Sequence, residues 1–200
     1  MQRAWHIGRD APNPLADLNP IRRRFNVLPT TTVPVIRRNR ESGQLLLAQA
    51  RWGLIPFWWK NKTLPRFTIN ARSEEAASKP MWRQAYRSFR CLIPAEGWYE
   101  WPEKEDIDTT TGEITTVGQP HLIFRRDRQP FCFAGLASLW TPPEKDEPIL
   151  SCAILTRGAA PALAPVHDRM PVILPDGDFE EWTGAGVTDA DRVTAMIRDH

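Results

Sequence analysis

Apolar and polar positions alternate along much of this chain with a period near two, the spacing of half-buried β-strands. "VPVIRR" (residues 33–38) and "QLLLAQARWGLI" (44–55) read as strands joined through the turn "NRESGQ". "RCLIPAEGWYEW" (90–101) reads as a strand, a turn and a second strand, and further strands are predicted at 120–126, 131–138 and 149–156. The polar run "EDIDTTTGEITTVGQ" (105–119) has the composition of an exposed hairpin tip. From Ser73 to about Phe89 the spacing turns helical. Ser73 is placed to cap, Glu74 and Glu75 suit the positive end of the helix dipole, and Pro80 splits the run into two short pieces. Helices are predicted again at 176–183 and 188–198, with Thr188 and Asp189 supplying cap and dipole charge to the second. Many short strands with few helices predict an α+β fold: a curled, barrel-like, mainly antiparallel sheet flanked by short helices.

Composition changes this picture little. Two hundred residues suit a single domain over 1–200, and 42% hydrophobic with 25% charged residues describes a globule with a sizeable core. No apolar run approaches the ~18 residues of a membrane span. The opening "MQRAWHIGRD" is polar, without the apolar middle of a signal peptide, so a cytoplasmic protein away from membranes is expected. Cys91, Cys132 and Cys152 are odd in number and form no CxxC pair, which argues against a disulfide framework and against zinc. No metal or cofactor is expected.

Charge and aromatic content add more. The net charge of +2 is small, yet Arg22, Arg23, Arg24, Arg37, Arg38 and Arg40 crowd the first fifth of the chain. Such a run suits either a solvated face or phosphate contacts. Nine tryptophans are unusual, and Trp58 with Trp59 follows a proline-phenylalanine in "WGLIPFWWKN". The pair suits core packing, or a platform on which bases stack at ~1–3 kcal/mol each.

Four pieces place polar side chains in apolar surroundings: "FNVLPTT" with Asn26 and Pro29, "TINARSE" with Asn70 and Arg72, "EGWYEW" with Glu100, and "APVHDRMPVIL" with His167, Asp168 and Arg169. Each has an ordinary alternative. Asn70 suits a turn before a helix, Glu100 the wet face of a strand, His167 a core histidine paired with Asp168, and Arg169 half of an ion pair. Together they suggest more. A carboxylate flanked by aromatics is partly desolvated, which moves its pKa towards the range useful for proton transfer. Histidine exchanges protons near neutrality, an asparagine amide can orient a carbonyl oxygen, and arginine holds phosphate bidentately. The set suits chemistry on a carbonyl attached to a phosphodiester backbone.

The ordered series "FNVLPT", "RWGLIPFWW", "INARSE", "RCLIPAEGWYEW", "FAGL", "ILTRGA" and "APVHDRMPVIL" resembles the SRAP family, the SOS response-associated peptidases, from about residue 24 to residue 183. The resemblance implies an abasic-site sensor in single-stranded DNA with an associated self-processing peptidase activity. The family's cross-link is a thiazolidine, formed when an N-terminal cysteine attacks the ring-opened sugar through its amine and thiol. It further implies that Asn70 positions cysteine and sugar, that Glu100 handles protons around the amine, and that His167 transfers protons to the sugar oxygen. Pro29, Trp58, Trp59, Arg72 and Arg169 would line the DNA groove, with Asn26 and Thr156 as further candidates. The partner would be abasic single-stranded DNA, met at the nucleoid by a monomer. One departure is plain: the family begins Met-Cys-Gly-Arg and this chain Met1-Gln2-Arg3-Ala4. An N-terminal strand carrying the family's cysteine is therefore expected to be missing, and the chain as given is expected to hold DNA without covalent capture. Two rivals are a non-catalytic single-strand or junction binder and a thiol hydrolase using Cys91 with His167.

Overall fold

The computed structural model of this protein describes residues 24–39, 41–107, 110–111, 113–184, 186 and 189–198. The expectation about the chain's start, and those about Arg22, Arg23, Arg40 and Thr188, fall outside the described residues. In chain order the first elements are β1 (Thr32–Arg38), β2 (Leu45–Trp52), β3 (Asn70–Arg72), α1 (Ser73–Ala76) and α2 (Arg83–Ser88). Then come β4 (Arg90–Ala95), β5 (Trp98–Glu100), β6 (Glu103–Ile107), β7 (Ile114–Gly118), β8 (His121–Ile123) and β9 (Phe131–Trp140). The last are β10 (Ile149–Gly158), β11 (Arg169–Pro171), β12 (Ile173–Leu174), α3 (Phe179–Thr183) and α4 (Ala190–Arg198).

Five strands close on themselves in the order β10-β2-β1-β4-β9 and back to β10. The predicted barrel-like sheet is thus a closed barrel with extra strands at its rim. β2 and β3 lie parallel to β10, and the other pairings are antiparallel. β9 shows why the ring holds. Phe131, Phe133 and Ala137 point into the barrel, while Cys132, Ala134 and Leu136 point out beneath the helices. With both faces covered the strand reads as a continuous apolar run, "FCFAGLASLW", rather than an alternating one. The interior is completed by Val33 and Val35 of β1, Ala50 of β2, Cys91 and Ile93 of β4, and Cys152 and Ile154 of β10. The outer core joins Leu92, Ala153 and Leu155 to Tyr86, Trp182, Val193 and Ile197 of the helices.

Buried Arg90 ties helices to barrel. Its guanidinium donates to the carbonyl oxygens of Trp182 (2.6 Å), Tyr86 (2.8 Å), Arg87 (2.9 Å) and Gly184 (2.9 Å), and lies over the Trp182 ring. Burial lowers its pKa to about 10.

Local expectations fared unevenly. The helical run breaks around Pro80 into α1 and α2 as predicted. Ser73, however, is not the cap: Arg72 holds the N-cap position in extended backbone, without a side-chain cap hydrogen bond. The cause is that Arg72 is still paired to β10, so the helix starts directly off a strand. The strand expected at 120–126 stops at Ile123, because Arg125–Arg128 folds into a turn closed by Arg128 N–H to the Arg125 carbonyl. The polar tip is a longer ribbon than expected, with β6 and β7 in register from Glu103↔Gly118 to Ile107↔Ile114. In α4 the Asp189 carboxylate accepts the Asp191 amide at 2.9 Å, the local bond expected of a start signal. No helix among the described residues is long and apolar enough to cross a membrane.

Candidate functional site

β3 is three residues long and lies against β10, with Asn70 beside Ile154, Ala71 beside Leu155 and Arg72 beside Thr156. Strand alternation decides the rest. Ala71 goes into the outer core, so Asn70 and Arg72 take the opposite face, which is continuous with the barrel interior and here open to solvent. Neither side chain makes a hydrogen bond or ion pair among the described residues. An amide and a guanidinium stand side by side at the barrel rim with their donors free.

β11 pairs with β10 at the same end, Gly158 opposite Arg169 and Thr156 opposite Pro171. Here the Arg169 fork is engaged. Its two Nη atoms donate to the two Glu74 carboxylate oxygens at 2.8 and 2.9 Å, and Nη2 also reaches the Thr156 carbonyl (2.7 Å) and hydroxyl (3.3 Å). Thr156 is buried and its hydroxyl is turned to Arg169. The Arg169 side chain makes lowered-pKa Glu74 a better carboxylate, outweighing the opposing effect of burial. The Arg169 backbone amide in turn donates to His167 Nδ1 at 2.9 Å, and Asp168 Oδ1 lies 3.2 Å from the same nitrogen.

Glu100 ends β5, which pairs with β8 so that Glu100 faces His121 across the ladder. Trp98, on the same face of β5, packs edge-on against Phe131 (6.3 Å) and Phe133 (6.0 Å) over the barrel interior. Glu100 is therefore half-buried at the barrel mouth. Burial raises its pKa and Asp168 adds to the rise, while His167 and the Trp98 indole oppose it. Glu100, His167 and Asp168 thus feel one another's charge, and His167 is tied through Arg169 to the strand next to Asn70.

The remaining candidates border this mouth unequally. Asn26 and Pro29 are exposed, and Val27 between them packs on the barrel interior. The Pro29 turn is pinned by Thr30 N–H to the Trp52 carbonyl (2.8 Å), and the Trp52 indole donates to the Ile69 carbonyl (2.9 Å), one residue before Asn70. Trp58 and Trp59 lie farther along. Their rings are 6.0 Å apart, and the Trp59 carbonyl accepts the Trp140 indole at 2.7 Å. Trp140 pairs with Ile149, whereas Asn70 pairs with Ile154, so the anchors are five residues, roughly 16 Å, apart along β10. Beside Trp59 an open depression of about 480 Å³ is lined by Lys62, Leu64 and Arg66.

Sequence reasoning missed Glu74, Trp52 and Trp98. Glu74 is expected only to suit the helix dipole, and nothing local signals a partner 95 positions away. The cysteines supply no nucleophile at this mouth. Cys91, Cys132 and Cys152 are free and buried, and burial raises all three thiol pKa values, that of Cys152 to about 12.

Known proteins resemble the chain closely. A family model described as SOS response associated peptidase (SRAP) matches residues 3–200. The abasic site processing protein YoqW of Bacillus subtilis (strain 168) is 35% identical over 176 residues, which are 88% of this chain and 73% of YoqW. The abasic site processing protein YedK of Escherichia coli (strain K12) is 34% identical over 179 residues, 90% of this chain and 71% of YedK. A crystal structure of a Bacteroides thetaiotaomicron protein shares the fold, with a TM-score of 0.69 at 23% identity over 84% of this chain and 68% of that one.

Proposed function

The chain belongs to the SOS response associated peptidase family, and from that membership we propose that it recognises abasic sites in single-stranded DNA at the barrel mouth. The observation that carries the reading is the half-buried Glu100, its pKa raised by burial and its carboxyl within the electrostatic reach of His167 and Asp168, together with Asn70 and Arg72 exposed on β3. An abasic sugar opens to an aldehyde. The Asn70 amide can donate to its oxygen, and Arg72 can hold a neighbouring phosphate. Glu100 and His167 are placed to exchange protons with the sugar hydroxyl freed on ring opening. Pro29 and Asn26 edge the mouth, and Trp58 and Trp59 offer a stacking surface farther along the strand path. Arg169 contributes through the one Nη1 proton not taken by Glu74, and Thr156 by fixing Arg169.

Relatives of this kind are named for processing abasic sites, and covalent capture through an N-terminal cysteine is the chemistry the resemblance implies. Cys91, Cys132 and Cys152 are all buried, so none of these thiols is offered to a sugar at the mouth. The contacts that the described residues make with the strand are therefore proposed to be non-covalent. The buried, protonated Cys91 counts against the thiol-hydrolase alternative.

Binding to matched single-stranded oligonucleotides with and without one abasic site, across a salt series, tests the reading. Preference for the abasic strand, weakened by salt and reduced at least tenfold by Asn70→Ala, is expected, with no heat-stable adduct in the mass spectrum. Equal affinity for both strands sinks the site assignment. An adduct with this polypeptide sinks the non-covalent reading.

A further inference from the structure

Glu74 belongs to none of the roles above, yet it makes a two-pronged ion pair across the site. It stands on α1, two residues after Arg72, so its position follows from the strand that presents Asn70. Its carboxylate holds Arg169 fork to fork, and Arg169 Nη2 is held from the other side by Thr156 of β10. A planar guanidinium gripped on two edges has little freedom to turn, which fixes the backbone that carries it. That backbone amide points at His167 Nδ1 from 2.9 Å. The same nitrogen lies 3.1 Å from the Arg169 carbonyl oxygen and 3.2 Å from Asp168 Oδ1, so residues 168 and 169 enclose one edge of the ring whichever nitrogen carries its proton.

We propose that Glu74 is a positioning residue that, acting through Arg169, sets the orientation of the His167 imidazole relative to the strand of Asn70. The inference deepens the abasic-site reading and rests on it for its purpose, though not for its geometry. Glu74 touches neither the sugar nor the imidazole. Its effect passes along Glu74 carboxylate, Arg169 guanidinium, Arg169 amide and His167 Nδ1.

The test is ring-nitrogen NMR of the full chain, labelled with 15N, at a pH where His167 is neutral, with Glu74→Ala, Glu74→Gln, Arg169→Lys and the double variant E74A/R169K. Glu74→Ala and Arg169→Lys should each shift the His167 ring-nitrogen signals away from the parent's, and the double variant should shift them no farther than the larger single change. Glu74→Gln, which keeps one acceptor for the fork, should restore most of the parent pattern. A folded Glu74→Ala or Arg169→Lys chain with parental His167 signals overturns the proposal, as does a double variant in which the two shifts add. Because no DNA is present, a shift of the His167 signals with no abasic preference in the binding assay would reject the abasic reading and leave this coupling standing.

Discussion

Gly135 sits opposite Cys91 inside the barrel, and a methyl group built there would lie 2.7 Å from the Cys91 sulfur and 2.9 Å from Ile93. Both neighbours are walled in, so Gly135→Ala is expected to cost about 1–3 kcal/mol, read as a lower urea midpoint. Glu100 yields a second expectation. Its pKa is raised on folding, so between the ordinary carboxylate value and the folded one the native chain binds more proton than the unfolded chain, and stability falls as pH rises. Glu100→Gln should flatten that part of the stability profile, and an unchanged slope in urea titrations would deny the raised carboxyl. The residue types of this site were legible in the sequence: an amide before a helix, an acid between aromatics, a histidine in an apolar run. What each touches was not, since the Glu74–Arg169 pair joins positions 95 apart and leaves no local trace.

Among elements, α1 and β11 are joined by that ion pair, and acid should part them. Arg169 lowers the Glu74 pKa, so the pair's stability is present above the ordinary carboxylate value and is lost as pH falls through the lower folded value. The stability difference between parent and Glu74→Gln is thus expected to shrink to nothing as pH descends that range, measured by urea unfolding at stepped pH. Glu74→Ala goes further: it removes a negative charge beside the proposed phosphate path and releases the Arg169 fork altogether. Single-strand affinity should rise, and the salt slope should steepen by about 0.7 if one phosphate contact is gained. Strand and helix positions were readable from spacing and Pro80. The misplaced Ser73 cap and the truncated β8 were not, because β-pairing of Arg72 and a turn at Arg125–Arg128 override local preference.

At the scale of the whole molecule, the many short strands announced a curled, barrel-like sheet but not which strands close it, since the parallel β2–β10 and β3–β10 contacts obey no local pattern. The frame depends on Arg90 more than its lone charge suggests. Arg90→Lys cannot reach the four carbonyls spread over Tyr86, Arg87, Trp182 and Gly184, and is expected to cost about 2–3 kcal/mol, or several degrees in Tm.

The ring is unevenly sewn. β1 and β2 join over seven residue pairs, but β2 meets β10 only at Ser151↔Arg51 and Cys152↔Trp52, and β1 meets β4 only at Ile36↔Leu92 and Arg37↔Cys91. Native-state fluctuations should unzip these two short seams before any other, so the amide of Gly53, which donates to the Cys152 carbonyl, ought to exchange with deuterium earlier than those in the middle of β9. Trp52 also pins the Pro29 turn and the strand of Asn70. Each such opening would carry one lip of the mouth with it, giving a cylinder of strands a hinge where a threading polymer would need one.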